Sequence, residues 1–138
     1  MASRTSVDRQ RREVLDIVQE HLRGGEKVVG ILPFALVPKR PKGPEGKVRD
    51  GLYQSYRRYR PLAVTTRRLF VLETGRTPHP RGFMTTYELR DVHFVDLVPT
   101  RFGHRLLLDF PEVGTVPFVL GRFDLEDLDD LRSRLGKG

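Results

Sequence analysis

Arg60-Pro61-Leu62-Ala63-Val64-Thr65-Thr66-Arg67-Arg68-Leu69-Phe70-Val71-Leu72-Glu73-Thr74 is the stretch on which the fold turns. Two apolar runs, Leu62 to Val64 and Leu69 to Leu72, flank a polar reversal at Thr65-Thr66-Arg67-Arg68. Val, Thr, Leu and Phe suit a pleated, half-buried surface, and a short polar connection between two such runs reads as a β-hairpin. Upstream lies a basic segment rich in glycine and proline. Downstream comes a series of similar short strands closed by a helix.

Working downstream, a loop from Gly75 to Gly82 leads into Phe83 to Leu89, where Phe83, Thr85, Tyr87 and Leu89 alternate with Met84, Thr86 and Glu88. Val92 to Val98 is a further strand, and Arg101 to His104 turn the chain into Arg105 to Phe110. Thr115 to Leu120 follows, with Val116, Phe118 and Leu120 on the core side and Pro117 outside, on an edge. Phe123 to Leu135 is expected to be a helix with Leu125, Leu128, Leu131 and Leu135 on one stripe. Acidic residues crowd its first turns and Arg132 and Arg134 lie at its end, in keeping with the helix dipole.

Working upstream, Thr5-Ser6-Val7-Asp8 has capping-box spacing, and Val14, Leu15, Val18 and Leu22 recur as one helical face that Gly24-Gly25 ends. This stripe needs a cover, which makes the helix a candidate for contact with a partner or a second copy of the chain. Lys27 to Val37 reads as a strand in which Pro33 implies a bulge, an edge or a break. Its apolar character fits a buried strand or a surface for another subunit. Residues 38 to 51 lack apolar periodicity and form a loop, while Leu52 to Tyr59 fits either a strand extension or a short helix. About seven strands therefore lie between two helices, with no long crossover helix among them, which points to an antiparallel sheet bent into a partly open barrel or a sandwich.

The chain has 138 residues, enough to bury a core as one domain, and a net charge of +7. It has no cysteine, which excludes disulfides, thiolate metal sites and cysteine nucleophiles and fits a cytoplasmic location. The polar stretch Met1 to Arg12 is unlike a signal peptide, and the longest apolar run, Val28 to Val37, is about half a membrane span, so any membrane contact would be peripheral. The charge is concentrated. Between Pro38 and Arg60 eight basic residues (Lys39, Arg40, Lys42, Lys47, Arg49, Arg57, Arg58 and Arg60) face only Glu45 and Asp50, a net +6 within 23 residues.

Leu62-Ala63-Val64-Thr65-Thr66-Arg67-Arg68-Leu69-Phe70-Val71 resembles the core of bacterial pleckstrin-homology-like domains, where an apolar strand ends in Val-Thr-x-Arg-Arg before another apolar strand. Asp is commoner in that family where Thr66 stands here. Gly25-Glu26-Lys27-Val28 and Tyr87-Glu88-Leu89-Arg90-Asp91-Val92 look similar too, and the leucine helix falls where that fold places its capping helix. The resemblance, over roughly residues 25 to 135, implies a mainly β (α+β) protein: a seven-stranded antiparallel bent barrel with a C-terminal capping helix, here over residues 26–138. An extra amphipathic helix would occupy residues 1–25. Lipid-binding members of the wider superfamily carry basic side chains in the loop between the first two strands. That loop holds Lys39, Arg40, Lys42, Lys47 and Arg49 here and leads into Arg57, Arg58 and Arg60, and it is longer than the compact signature of phosphoinositide binders.

Tyr53, Tyr56 and Tyr59 beside Arg57 and Arg58 could stack nucleic-acid bases or simply pack. Arg67-Arg68 reads as a turn element with one side chain pairing a carboxylate. His21, His79, His93 and His104 are scattered, and Asp91, His93 and Asp96, although close in sequence, fall short of a supported metal site. No serine occupies a nucleophile elbow and no glycine run has phosphate-loop spacing. The expectation is a non-enzymatic binding or adaptor module without a cofactor. Its basic loop would engage an anionic lipid surface or an acidic protein. The alternatives are nucleic acid bound by the same segment, or a subunit of an assembly joined through the N-terminal helix and Val28 to Val37.

Overall fold

The computed structural model describes residues 4–38, 57–74, 79–101 and 103–136. Within them the chain forms α1 (Arg4–Gln19), β1 (Val28–Leu32), β2 (Leu36–Val37), β3 (Arg58–Tyr59), β4 (Leu62–Thr65), β5 (Arg68–Thr74), β6 (Pro80–Glu88), β7 (His93–Thr100), β8 (Gly103–Phe110), β9 (Gly114–Leu120) and α2 (Leu128–Arg134). Short 3₁₀ turns occupy Leu89–Asp91 and Asp124–Asp127. The basic loop and the alternatives for Leu52 to Tyr56 lie outside the described residues, as do residues 75–78 of the loop expected from Gly75 to Gly82, whose last three residues belong to β6 instead.

Pro33 decides how the first strand is used. A residue without an N–H and with fixed φ interrupts a ladder, and the run expected as one strand divides there. β1 pairs with β4, whereas β2 pairs with β9 and β3. One segment thus contributes to two antiparallel sheets, ordered β1-β4-β5-β6 and β3-β2-β9-β8-β7. The protein is mainly β with a short C-terminal helix, but its described strands do not close into one barrel. β6 and β7, joined by the 3₁₀ turn at Leu89–Asp91, lie at the edges of different sheets. That turn leaves Asp91 outside β7, which begins at His93.

The hairpin forms as expected, with Leu62 opposite Val71, Ala63 opposite Phe70 and Val64 opposite Leu69. Leu62, Val64, Leu69 and Val71 face the core between the sheets, where they meet Leu106, Leu108, Phe110, Val116, Phe118 and Leu120. Ala63, Phe70 and Leu72 face the other way and pack with Ile31 against Val14 and Val18 of α1. Both faces are buried, so these strands read as apolar runs rather than alternations. The apolar stripe of α1 is therefore covered by its own chain. A capping box at Thr5–Asp8 is not formed. The helix already includes Arg4, and Asp8 pairs with that arginine at 3.3 Å.

Pro117 lies inside the second sheet rather than on an edge strand. The antiparallel register, with Leu36 opposite Val119, carries position 117 opposite Pro38, past the end of β2, where no ladder donor is needed.

The expected C-terminal helix is a 3₁₀ turn followed by α2. Leu128, Leu131 and Leu135 enter the core between the sheets as anticipated. The first acidic residues bond outside the helix instead of serving its dipole. Asp124 accepts the amides of Phe34 (2.8 Å) and Gly121 (2.9 Å), and Asp127 accepts that of Ile31 (2.8 Å). Arg11 of α1 donates to Asp127 (2.8 Å) and to the carbonyls of Ile31 and Phe123, so one guanidinium ties α1, β1 and the C-terminal turn together. Past α2, the Gly136 amide reaches the carbonyls of Leu89 and Val92.

Candidate anion-binding edge

β2 and β3 are neighbours at one edge of the second sheet, and the basic segment leaves from the first and returns into the second. Lys39, Arg40, Lys42, Lys47 and Arg49 lie outside the described residues, as do Tyr53 and Tyr56. The segment re-enters the described residues at Arg57. Side chains alternate along extended backbone, so residues 58 and 60 turn toward β5 while Arg57 is exposed. Arg58 donates from Nη1 to Glu73 Oε1 at 2.8 Å, and Arg60 Nη1 lies 3.1 Å from the same oxygen.

Arg60 must therefore be removed from the set of surface cations named above. Its side chain is only 4% exposed, and its amide is bonded to the Ala35 carbonyl. Arg58 is half-buried, and Tyr59 is half-buried in β3 rather than presented as a free stacking platform. Glu73 sits at a register shift between Leu72 and Thr74 where β5 meets β6. On either side of it, the Leu72 amide donates to the Pro61 carbonyl and the Thr74 hydroxyl to the Tyr59 carbonyl, so the re-entering strand is fastened to β5. Nothing in the local pattern singled out Glu73, because its role depends on a cross-sheet contact.

The Thr-Thr-Arg-Arg turn has a different purpose. Arg68 makes a two-pronged pair with Glu26, Nε to Oε2 at 3.0 Å and Nη2 to Oε1 at 2.6 Å. Nη2 also reaches the His21 carbonyl, and the guanidinium lies over the Phe70 ring. The Thr65 hydroxyl donates to Glu26 while accepting the amides of Arg67 and Arg68. Above all, the Arg68 guanidinium pulls the Glu26 carboxyl down to about 2. The expected turn arginine paired with a carboxylate is Arg68. Its partner, 42 residues away, could not be found from local spacing.

Asp124 is fully buried, and desolvation pushes its pKa up to about 6, against the opposing effect of the two amides it accepts and of Arg11. The folded state thus holds this proton more tightly than the unfolded chain, whose carboxyl titrates near 3.8. The resulting stability is fully present below pH 3.8 and is lost as pH rises through about 6. At roughly 1.4 kcal/mol per pH unit the difference is on the order of 3 kcal/mol. Asp124→Asn is expected to abolish this slope in urea titrations at pH 4, 5 and 7. An unchanged slope would place the proton elsewhere.

The large hydrophobic residues left most exposed among the described residues, Val95 (49%) and Val98 (39%), lie on β7, the opposite edge of the second sheet. That edge is a poor template for another strand: the Leu97 amide is occupied by the Asp96 carboxylate, Pro99 has no N–H, and the register shifts between Phe94 and Asp96. Among the described residues no His, Asp and Glu side chains converge as a metal site, and no helix is long and apolar enough to cross a membrane. Comparison of the sequence with protein-family models and with curated proteins returns no match.

Proposed function

We propose that the protein is a non-enzymatic binding module of pleckstrin-homology-like type whose segment from Pro38 to Arg60 holds an anionic membrane surface. The observation that carries this reading is the concentration of charge, a net +6 in 23 residues of a chain whose total is +7, on a segment rooted at both ends in adjacent strands of one sheet edge. Each Lys or Arg near an anionic leaflet contributes about 1 kcal/mol. With Arg60 buried the working excess is nearer five charges, or up to roughly 5 kcal/mol before the entropy of ordering the segment is subtracted. The exposed Arg57 is the described residue best placed to contribute.

Vesicles containing anionic lipid should retain the protein while neutral vesicles do not. Replacing Lys42 and Arg57 together by glutamate should lower that retention by more than tenfold, given about 1 kcal/mol for each lost cation and repulsion from each new anion. Retention unaffected by the double reversal would take the segment out of the account. Tighter binding to an oligonucleotide than to vesicles, with affinity falling linearly in log salt, would favour a nucleic-acid partner instead. The assembly alternative loses one support, because the apolar stripe of α1 is buried against its own sheet.

A further inference from the structure

Glu73 places its carboxylate between two guanidiniums of the segment just described, one buried and one half-buried. Arg57, one residue earlier, is exposed. Neighbouring cations of one basic run thus stand in unlike states. Arg57 meets solvent, Arg58 is shared, and Arg60 is held inside. A carboxylate 2.8 Å from Arg58 competes with any phosphate or carboxylate approaching from outside, because a guanidinium that turns toward the incoming anion must leave the internal one. Each guanidinium–carboxylate pair also cancels charge that would otherwise attract the surface.

Resting on the reading of this segment as an anionic-surface site, we infer that Glu73 is its internal competitor, a built-in counter-anion that holds Arg58 in reserve and limits the strength of binding. The position suits that task. The ladder to β6 shifts register beside Glu73, where β6 carries two extra residues between the partners of Leu72 and Thr74, and the bonds from Leu72 to Pro61 and from Thr74 to Tyr59 hold the re-entering chain against β5. The anion favoured by this arrangement is a headgroup phosphate or carboxylate displayed on a surface, where several cations are engaged at once. An isolated anion would have to displace Glu73 alone.

The test measures retention on phosphatidylcholine vesicles containing about one-quarter phosphatidylserine, where one added net charge is worth roughly fivefold. Glu73→Gln should raise retention by about that factor. Asp109→Asn adds the same net charge on β8, three strands from β3 in the sheet order, which is about 14 Å and beyond the screening length. It should change retention little. Arg58→Gln should cost less than about twofold in the native background but about fivefold beside Glu73→Gln, a non-additivity that marks a shared partner.

Equal gains from Glu73→Gln and Asp109→Asn, or equal losses from Arg58→Gln in both backgrounds, would overturn the inference while leaving the surface-binding reading standing. If Glu73→Gln fails to fold, the native background decides. Arg57→Gln should then reduce retention more than Arg58→Gln, and equal reductions would overturn the inference. Native protein that is not retained at all would overturn the surface-binding reading and this inference with it.

Discussion

Glu26→Ala is expected to destabilise the protein by roughly 3–5 kcal/mol, the usual consequence of removing one partner from a buried ion pair. The Glu26 side chain is fully buried and that of Arg68 is 9% exposed, so the abandoned guanidinium would keep the His21 carbonyl, the Phe70 ring and the longer-range attraction of Glu88. The Thr65 hydroxyl would lose its shorter bond and be left with the Arg68 carbonyl at 3.2 Å. For a domain of this size the melting temperature should fall by about 10 °C or more. The double variant Glu26→Leu, Arg68→Met should recover most of the loss, since apolar replacement of both members of a buried pair is often close to neutral. Urea titrations of the three proteins decide the matter, and a double variant as weak as the single one would mean that the pair is irreplaceable at this turn.

The same pair predicts an acid limb. Glu26 is held near 2 against an ordinary 4.5, so its contribution is present above pH 4.5 and lost as pH falls toward 2, to a limit of roughly 3 kcal/mol. Asp124 acts in the opposite sense between about pH 4 and 6. From these two groups alone, stability should be greatest near pH 4–5. Glu26→Gln should flatten the acid limb and leave the Asp124 slope in place.

Removing residues 1–25 is expected to have an effect at least as large. Ile31, Ala63, Phe70 and Leu72 pack against α1, and without it the outer face of the first sheet would meet water. The remaining chain should bind a hydrophobic dye and precipitate or melt far below the intact protein. Phe70→Ala probes the same layer more gently and should cost about 3–5 kcal/mol, from lost transfer energy and the cavity left behind. A truncated chain that melts like the intact one would show that the helix is an accessory to the β structure.

Much of this layer was legible in the chain. Val14 and Val18 declare a helical face, and the uninterrupted apolar runs of β4 and β5 declare strands buried on two sides. What periodicity could not supply was that these features answer each other. The helix stripe looked like a surface awaiting a partner, although its partner was the outer face of the hairpin. The candidate site was legible in part. Clustered charge is visible in sequence, whereas the inward turn of Arg60 and the identity of Glu73 as its counter-ion depend on where β3 lies relative to β5.

By itself the sequence determined the hairpin, the two helices, the order of the main strands and the concentration of basic charge, because each is written in spacing, propensity or local composition. Only the tertiary structure decided that Pro33 divides one strand between two sheets, that Arg68 belongs to Glu26, and that Arg60 is internal. These outcomes rest on contacts between residues distant along the chain, where burial, hydrogen bonding and charge pairing are settled together rather than by any local pattern.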